Sequence, residues 1–275
     1  MAADTKTSPD GTPYTLYHNY YSICSIMMRY LMRIRGEPAD PAVKMDVREQ
    51  NVDIFSEEQF SEEYLLKVNP NGQVPVLGSH AAFPFPLAQT TAISAYVSER
   101  YPALMPEAHA ETIQKSLKKM HDLNFFTLSF LKSPKLASGF ADTALKRLAK
   151  SDISEEYRKA LEYKLMILKR DKVDALQPEK IQSEVSKATT YLEEVASFLR
   201  PEAGPWMFGQ QRPTALDAHL VVMIARLQDV GRGGIIPDAL KEYGEKAMST
   251  PEWIEVMQGR RTMYDGSGAE PGRKA

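Results

Sequence analysis

The hydrophobic pattern divides the chain into a mixed first part and a helical remainder. In the first hundred residues, short aromatic or β-branched runs alternate with stretches whose apolar residues recur at helical spacing. The NPNG turn at 69–72 separates two of these elements. The pattern predicts strands at 14–19, 42–47, 73–78 and 83–88, helices at 22–34 and 89–100, and a polar stretch of helical character at 55–68.

Beyond the proline-containing stretch YPALMP at 101–106, the strand signals vanish and apolar residues keep helical spacing. One predicted helix begins with Thr214 and Asp217, a capping box in which aspartate replaces the commoner glutamate. We assign this pair a folding role, and we expect His219 on the same apolar helix to be packed rather than catalytic. The predicted helices of this part lie at 107–132, 154–174, 181–199, 214–230 and 237–248.

Composition and charge exclude several classes of protein. A chain of 275 residues with 43% hydrophobic composition is long enough for two domains with their own cores. Its 34 basic and 36 acidic residues give a net charge of −2, which offers no electrostatic case for nucleic acid or an anionic membrane. The polar start predicts no secretory signal, and no apolar run reaches the ~18 residues of a membrane span. With a single cysteine, Cys24, we expect a cytoplasmic protein without an internal disulfide.

Four motifs, in this order, carry a resemblance to a known family. They are SICS at 22–25, NPNGQVPVL at 69–77, AQTTAISAYVSERYP at 88–102 and WMFGQQRPTALDAHLVVMIARL at 206–227. Over roughly residues 14–260 the chain resembles the cytosolic glutathione transferase superfamily. The resemblance implies an α/β thioredoxin-like N-terminal domain, an all-α C-terminal domain and a homodimer. The implied bounds are 13–101 for the first domain and 107–264 for the second, with disordered tails at 1–12 and 265–275.

The resemblance implies a glutathione site in the first domain. In this family the bond equivalent to Val74–Pro75 is cis, which would turn the Val74 backbone outward as an edge for an extended peptide. Thr90 and the amide groups at the start of its helix would hold the γ-glutamyl carboxylate, with Gln89 near the γ-glutamyl amine. A plain capping role for Thr90 is the competing interpretation. Candidates for the glycyl carboxylate end are Asn71 and Gln73.

The group that activates the glutathione sulfur is sought at the start of the first helix. A hydroxyl or thiol donor there would stabilise the thiolate together with the helix N-terminus. Ser22 aligns with the hydroxyl of serine-type members, whereas Cys24 with Ser25 resembles the pair of bacterial cysteine-type members; Tyr17 is the weakest candidate. Met27 occupies the place of a second cysteine, which excludes a dithiol centre. The competing interpretations are a buried, unreactive Cys24 and a Ser22 that only caps its helix.

The second substrate is expected between the two domains, against aromatic and aliphatic side chains. The candidate residues are Tyr20, Tyr21, Ile23, Phe125 and Phe126. Such a wall favours an apolar, electrophilic or conjugated molecule. The segment 132–152 is longer than a tight helix connection needs, so it is either a lid over this site or a surface insertion.

These features together predict a glutathione transferase that uses glutathione and an apolar small molecule, without a metal. One alternative is a glutathione-dependent cis–trans isomerase, in which the thiolate adds to a conjugated double bond and leaves again. The PTALDAH segment and the lengthened middle resemble fungal members of secondary-metabolite pathways, where such roles occur. A further alternative is a non-catalytic module of the same fold that binds ligands or proteins.

Overall fold

The computed structural model describes residues 14–130 and 134–264, with the backbone alone at 134–138. Over these residues an α/β domain is followed by a helical domain, as the sequence predicts. The predicted tails at 1–12 and 265–275 lie outside the described residues. The elements are β1 Tyr14–His18, α1 Ile23–Ile34, β2 Val47–Asn51, β3 Val76–Gly78, α2 Thr90–Arg100, α3 Ala110–His121, α4 Phe125–Phe130, α5 Pro134–Leu148, α6 Glu155–Leu168, α7 Pro178–Ala196, α8 Ala215–Asp229, α9 Asp238–Met248 and α10 Pro251–Met257.

The sheet of the first domain has three strands in the order β2-β1-β3. The central strand β1 runs parallel to β2 and antiparallel to β3, where Leu16 pairs with Leu77. Both leucines are fully buried, while most of β2 faces solvent. The sheet therefore offers one covered face, against which the helices of this domain pack.

The helix α1 joins the two domains through a common core. Its residues Ile26, Met27 and Met28 are fully buried, and each contributes about 1.5–3 kcal/mol of hydrophobic stabilisation. The helix packs against α8 of the second domain, and one continuous cluster of buried side chains spans both. It ends just before Gly36, whose φ of +75° is readily adopted only by glycine. The start of α1 is therefore held firmly relative to both domains.

The capping box predicted at the start of α8 is present. The buried Asp217 carboxylate accepts hydrogen bonds from the Thr214 backbone N–H at 2.7 Å and from the Thr214 hydroxyl at 2.6 Å. It also accepts from the Met207 N–H at 2.9 Å and the Tyr243 hydroxyl at 2.6 Å. The carboxylate thus fixes three separate segments of the helical domain, which agrees with the folding role expected from the sequence.

The second predicted strand, at 42–47, is wrong in its position. Residues Pro41–Val43 form a short 3-10 turn, and the strand begins only at Val47. Asp40 accepts a hydrogen bond from the Ala42 N–H at 2.7 Å, and Pro41 suits the first position of a helical turn. This local capping outweighs the apolar pattern of the segment.

Two other predictions for the first domain hold only in part. The stretch 83–88 contributes a single bridge, Leu77 to Leu87, rather than a full edge strand. Its prolines, Pro84 and Pro86, lack the N–H donors that a longer ladder requires. The stretch 55–68 forms only a short 3-10 turn and one π-helical turn at Tyr64–Val68.

The long helix predicted at 107–132 is broken in two. The helix α3 ends at His121, and α4 begins at Phe125. Between them, Asn124 accepts a hydrogen bond from the Thr127 N–H at 2.9 Å, while its own N–H donates to Glu184 at 2.8 Å. The asparagine therefore acts as a helix cap inside a continuous apolar pattern, and it redirects the aromatic residues that follow.

The segment 132–152 contains the helix α5, and its first two residues, 132 and 133, lie outside the described part. Arg147 of α5 donates to the Glu57 carboxylate of the first domain at 3.2 Å, and Thr143 donates to the same carboxylate at 2.7 Å. The helix therefore bridges the two domains; whether it acts as a lid stays a prediction. None of the helices in the described ranges has the length and apolar character that crossing a bilayer requires.

Candidate active site

A cavity of about 1060 Å³ opens between the two domains. The first domain contributes the start of α1, the turn before β3 and the start of α2, and the second contributes side chains of α3, α4, α5 and α8. The lining from the first domain includes Tyr21, Ser22, Ile23, Cys24, Asn71, Gln73, Val74, Pro75, Gln89 and Thr90. The lining from the second includes Leu117, His121, Phe125, Phe126, Phe130, Phe140, Lys172 and Arg226.

Ser22 caps α1 and faces the cavity. Its hydroxyl oxygen accepts a hydrogen bond from the Ser25 N–H at 3.4 Å and donates to the Val74 carbonyl at 3.5 Å. Both distances are long for hydrogen bonds of their type, so the hydroxyl is only weakly engaged. It can turn toward a ligand at the helix N-terminus, where the helix dipole favours negative charge. The capping role that the sequence left open for Ser22 is therefore present, and the donor role toward glutathione stays a prediction.

Cys24 also lines the cavity, but its surroundings keep it protonated. Burial raises the pKa of the Cys24 thiol, and the hydrogen bond from the Thr90 side chain and the charge of Arg226 oppose this only in part. At neutral pH the side chain is a thiol bound to Thr90, not a thiolate. The environment thus differs from that of the activated cysteines found at some helix starts.

Two of the predicted site residues do not reach the cavity lining. Ser25 is fully buried, and its oxygen accepts a hydrogen bond from the Asn19 N–H at 3.2 Å. Tyr20 packs edge-on against His18 and lies between the guanidinium groups of Arg29 and Arg260. Both side chains serve the loop before α1 rather than the site itself.

The backbone at Val74 and the start of α2 are open toward the cavity. The Val74–Pro75 bond is cis, as the resemblance implies. Among the described residues, the Val74 N–H donates to no protein acceptor. The α2 helix starts at Thr90, with Gln89 as its N-cap residue, and no side chain caps it. The competing interpretation, in which Thr90 caps the helix, is therefore wrong, and the first amide groups of α2 stay available for an anion.

The turn that carries Asn71 and Gln73 is fixed from the helical domain. Lys164 of α6 is buried and donates to the carbonyls of Asn71 at 2.5 Å and Gly72 at 3.0 Å. Gly72 has φ +55°, and a Cβ there would lie 2.7 Å from the Gln59 carbonyl oxygen. Both constraints hold the turn in one conformation, with the side chains of Asn71 and Gln73 at the cavity wall.

The opposite wall is aromatic. Phe126 lies 4.7 Å from Phe130 and 6.5 Å from Phe140 between ring centroids. The ammonium of Lys172 lies 3.8 Å from the Phe140 centroid and 5.1 Å from that of Phe126. Burial lowers the pKa of Lys172 to about 8. Four of the residues predicted to contact the second substrate line this cavity, namely Tyr21, Ile23, Phe125 and Phe126.

The sequence model described as the glutathione S-transferase N-terminal domain matches residues 12–99. Residues 12–99 therefore belong to the glutathione S-transferase N-terminal domain family. No curated protein sequence matches the chain significantly. The likeness to solved structures extends over both domains and shows the fold that they share with this chain.

Three solved structures illustrate this likeness. The β-etherase LigF from Sphingobium sp. strain SYK-6 has a TM-score of 0.63 at 17% identity, covering 89% of this chain and 98% of that chain. Ure2p in complex with glutathione has a TM-score of 0.55 at 17% identity, with coverages of 89% and 98%. A glutathione transferase family member from Pseudomonas fluorescens pf-5, with two glutathione molecules bound, has a TM-score of 0.52 at 15% identity, with coverages of 89% and 92%.

The cavity holds further polar residues that the sequence reasoning missed. Arg226 of α8 is buried and donates to the Tyr21 carbonyl at 2.7 Å and to the Ser129 hydroxyl at 3.2 Å. Burial lowers its pKa to about 10, so it stays a cation at neutral pH. The sequence reasoning also missed Lys172 and His121 in the cavity lining, and Lys164, which holds the turn that carries Asn71. For Arg226 a signal existed, because a basic residue inside an otherwise apolar helix requires polar partners.

Proposed function

We propose that this protein binds glutathione in the cavity and transfers it to an apolar, electrophilic molecule. The tripeptide lies extended beside Val74, with its γ-glutamyl carboxylate at the start of α2 and its glycyl end near Asn71 and Gln73. The observation that carries the proposal is that the open Val74 edge, the uncapped α2 and the start of α1 all face one cavity with the aromatic wall. Both reactants thus fit side by side.

In this proposal Ser22 supports the glutathione thiolate. Its hydroxyl is weakly bound within the protein and lies at a helix N-terminus, so it donates to a sulfur placed beside Val74. Cys24 contributes a neutral thiol next to Thr90 and takes no nucleophilic role, because its pKa is raised. The buried cation of Arg226 adds to the positive potential around the sulfur.

The likeness to glutathione-bound structures supports the choice of co-substrate. The Pseudomonas fluorescens protein and Ure2p both hold glutathione in their solved structures. The homodimer, the cytoplasmic location and the domain bounds implied by the sequence stay predictions. Sedimentation of the purified protein would test the dimer directly.

Calorimetry with glutathione and two variants at one position tests the binding mode. Thr90→Pro removes the first amide of α2 while retaining a residue suited to the first helical position, and Gln89 already has the extended conformation that precedes proline. Thr90→Val removes only the hydroxyl. A hydrogen bond to a charged group contributes about 1.5–3 kcal/mol, so we expect Thr90→Pro to weaken binding about 10-fold or more relative to Thr90→Val.

Turnover with an aryl halide then separates the candidate activities. A product that gains the mass of glutathione supports the transferase. A conjugated substrate that changes geometry without a change in mass indicates the isomerase instead. Glutathione binding without turnover of either substrate class indicates a non-catalytic module, and the absence of glutathione binding contradicts the proposal as a whole.

A further inference from the structure

Two histidines form a hydrogen-bonded pair whose outer member faces the cavity. His121, the last residue of α3, lines the cavity, and its Nε2 lies 2.8 Å from Nδ1 of His219. His219 is fully buried in α8, and its Nε2 lies 3.3 Å from the Ser94 hydroxyl of α2. The chain of contacts therefore runs from α2, through the core, to the wall of the second-substrate site.

Both imidazoles are neutral at physiological pH. Burial lowers the pKa of His121 to about 4 and that of His219 well below its ordinary value. In a neutral imidazole one nitrogen donates and the other accepts. Since the two rings share a hydrogen bond, the tautomer of His219 determines the tautomer of His121.

The Ser94 hydroxyl selects one of the two arrangements. Ser94 is buried, and His219 is its only hydrogen-bonding partner among the side chains of the described ranges. If His219 Nε2 carried the proton, the Ser94 hydroxyl hydrogen would be buried without an acceptor, which is unfavourable. Ser94 therefore donates to Nε2 of His219, and Nδ1 of His219 donates to Nε2 of His121.

It follows that the proton of His121 lies on Nδ1. Within the described residues this nitrogen has no hydrogen-bonding partner, and the ring stands edge-on to Phe125 at a centroid distance of 5.6 Å. A neutral N–H donor is thus held at fixed orientation beside the aromatic wall. The glutathione proposal does not use this donor.

We propose that His121 donates a hydrogen bond to the second substrate and that the preferred electrophiles are conjugated carbonyl compounds. This inference rests on the proposed function. The thiolate adds to the conjugated carbon, negative charge develops on the carbonyl oxygen, and the Nδ1–H stabilises that charge without transferring its proton. Water supplies the proton that the product carbon finally takes. His219 and Ser94 are positioning residues, because they act only through His121.

The test compares two electrophiles of similar size. Benzylideneacetone carries a conjugated carbonyl, whereas benzyl chloride has no oxygen acceptor. We expect His121→Phe to lower kcat/KM for the enone about 10- to 100-fold and to change it less than about 2-fold for the halide. Ser94→Ala, which frees the tautomer but leaves His121 in place, should lower the enone value by a smaller factor. His109→Phe, whose ring stacks on Phe208 away from the cavity, serves as the matched control.

A binding measurement keeps the inference independent of turnover. A hydrogen bond to a conjugated carbonyl shifts its ultraviolet absorption to longer wavelength, so bound benzylideneacetone should show this shift without glutathione, and His121→Phe should abolish it. An equal loss for both electrophiles, or no shift with the unaltered protein, overturns the inference. Failure of glutathione binding contradicts only the proposed function, because the spectral shift tests His121 without it.

Discussion

Replacing Ser22 by alanine tests how the bound glutathione sulfur is activated. The substitution removes the hydroxyl donor and leaves the N-terminus of α1, with its favourable dipole, in place. A hydrogen bond to a charged acceptor contributes about 1.5–3 kcal/mol, and one pKa unit corresponds to about 1.36 kcal/mol. We therefore expect the pKa of the bound glutathione thiol to rise by about 1–2 units in Ser22→Ala. Conjugation at neutral pH should fall by a similar factor, about 10- to 100-fold.

Ultraviolet titration of the thiolate in the enzyme–glutathione complex measures this pKa directly. The hydrogen bond that the Ser22 hydroxyl accepts from the Ser25 N–H is long, so losing this helix cap should cost only about 1 kcal/mol of stability. The variant should therefore remain folded. Cys24→Ala is the matched comparison from the same turn and should leave the titration nearly unchanged. If Cys24→Ala raises the thiol pKa and Ser22→Ala does not, the assignment of Ser22 is refuted.

Three further substitutions or reactions test the supporting framework. Asp217→Asn should lower the free energy of unfolding by about 3–5 kcal/mol in chemical denaturation, since the carboxylate accepts hydrogen bonds from two backbone and two side-chain donors. Asp238→Asn, at an exposed position, should leave the stability nearly unchanged, and a similar loss in both variants would contradict this view. Lys164→Met should weaken glutathione binding about 5- to 10-fold in calorimetry, because it removes the hydrogen bonds that hold the turn at Asn71. Lys159→Met, at an exposed position of the same helix, should have no effect. Equal affinities of the two variants would refute the role of Lys164 in holding this turn. Iodoacetamide should label Cys24 more slowly than free cysteine at neutral pH, because the raised pKa keeps the thiol protonated. The labelling rate should increase only above the pH range in which an ordinary thiol titrates. Rapid labelling at neutral pH would contradict the raised pKa of Cys24.

The sequence was most informative where short-range signals agree with the tertiary packing. The start of α1 at Ser22 and its end before Gly36 follow from capping and from the apolar stripe between them. The capping box at Thr214 was predicted for the same reason, because both of its residues lie within one turn of helix. The candidate glutathione residues were placed by resemblance, and the structure brings them to one cavity.

The misses share a physical cause, which is dependence on distant partners. The break at Asn124 depends on Glu184, sixty residues away, and the apolar periodicity on either side gives no sign of it. The role of Lys164 depends on two carbonyls in the other domain, and that of His121 on a contact with α8. Such contacts are determined by how the domains pack, which periodicity along the chain does not encode.

Ser25 and Tyr20 illustrate the opposite limit. Both are adjacent to true cavity residues in the sequence, yet a rotation of about 100° per helical residue, or one step in a tight loop, points them elsewhere. Ser25 instead accepts from the backbone of the preceding loop, and Tyr20 packs among arginines. Proximity in sequence therefore identified the right segment but not every side chain within it.

A crystal structure of the protein with glutathione bound measures the central claim most directly. The account predicts the sulfur within hydrogen-bonding distance of the Ser22 hydroxyl, the peptide backbone beside Val74 and the γ-glutamyl carboxylate on the first amide groups of α2. A sulfur closer to the Cys24 sulfur than to the Ser22 hydroxyl, or a glutathione molecule bound outside this cavity, would contradict it.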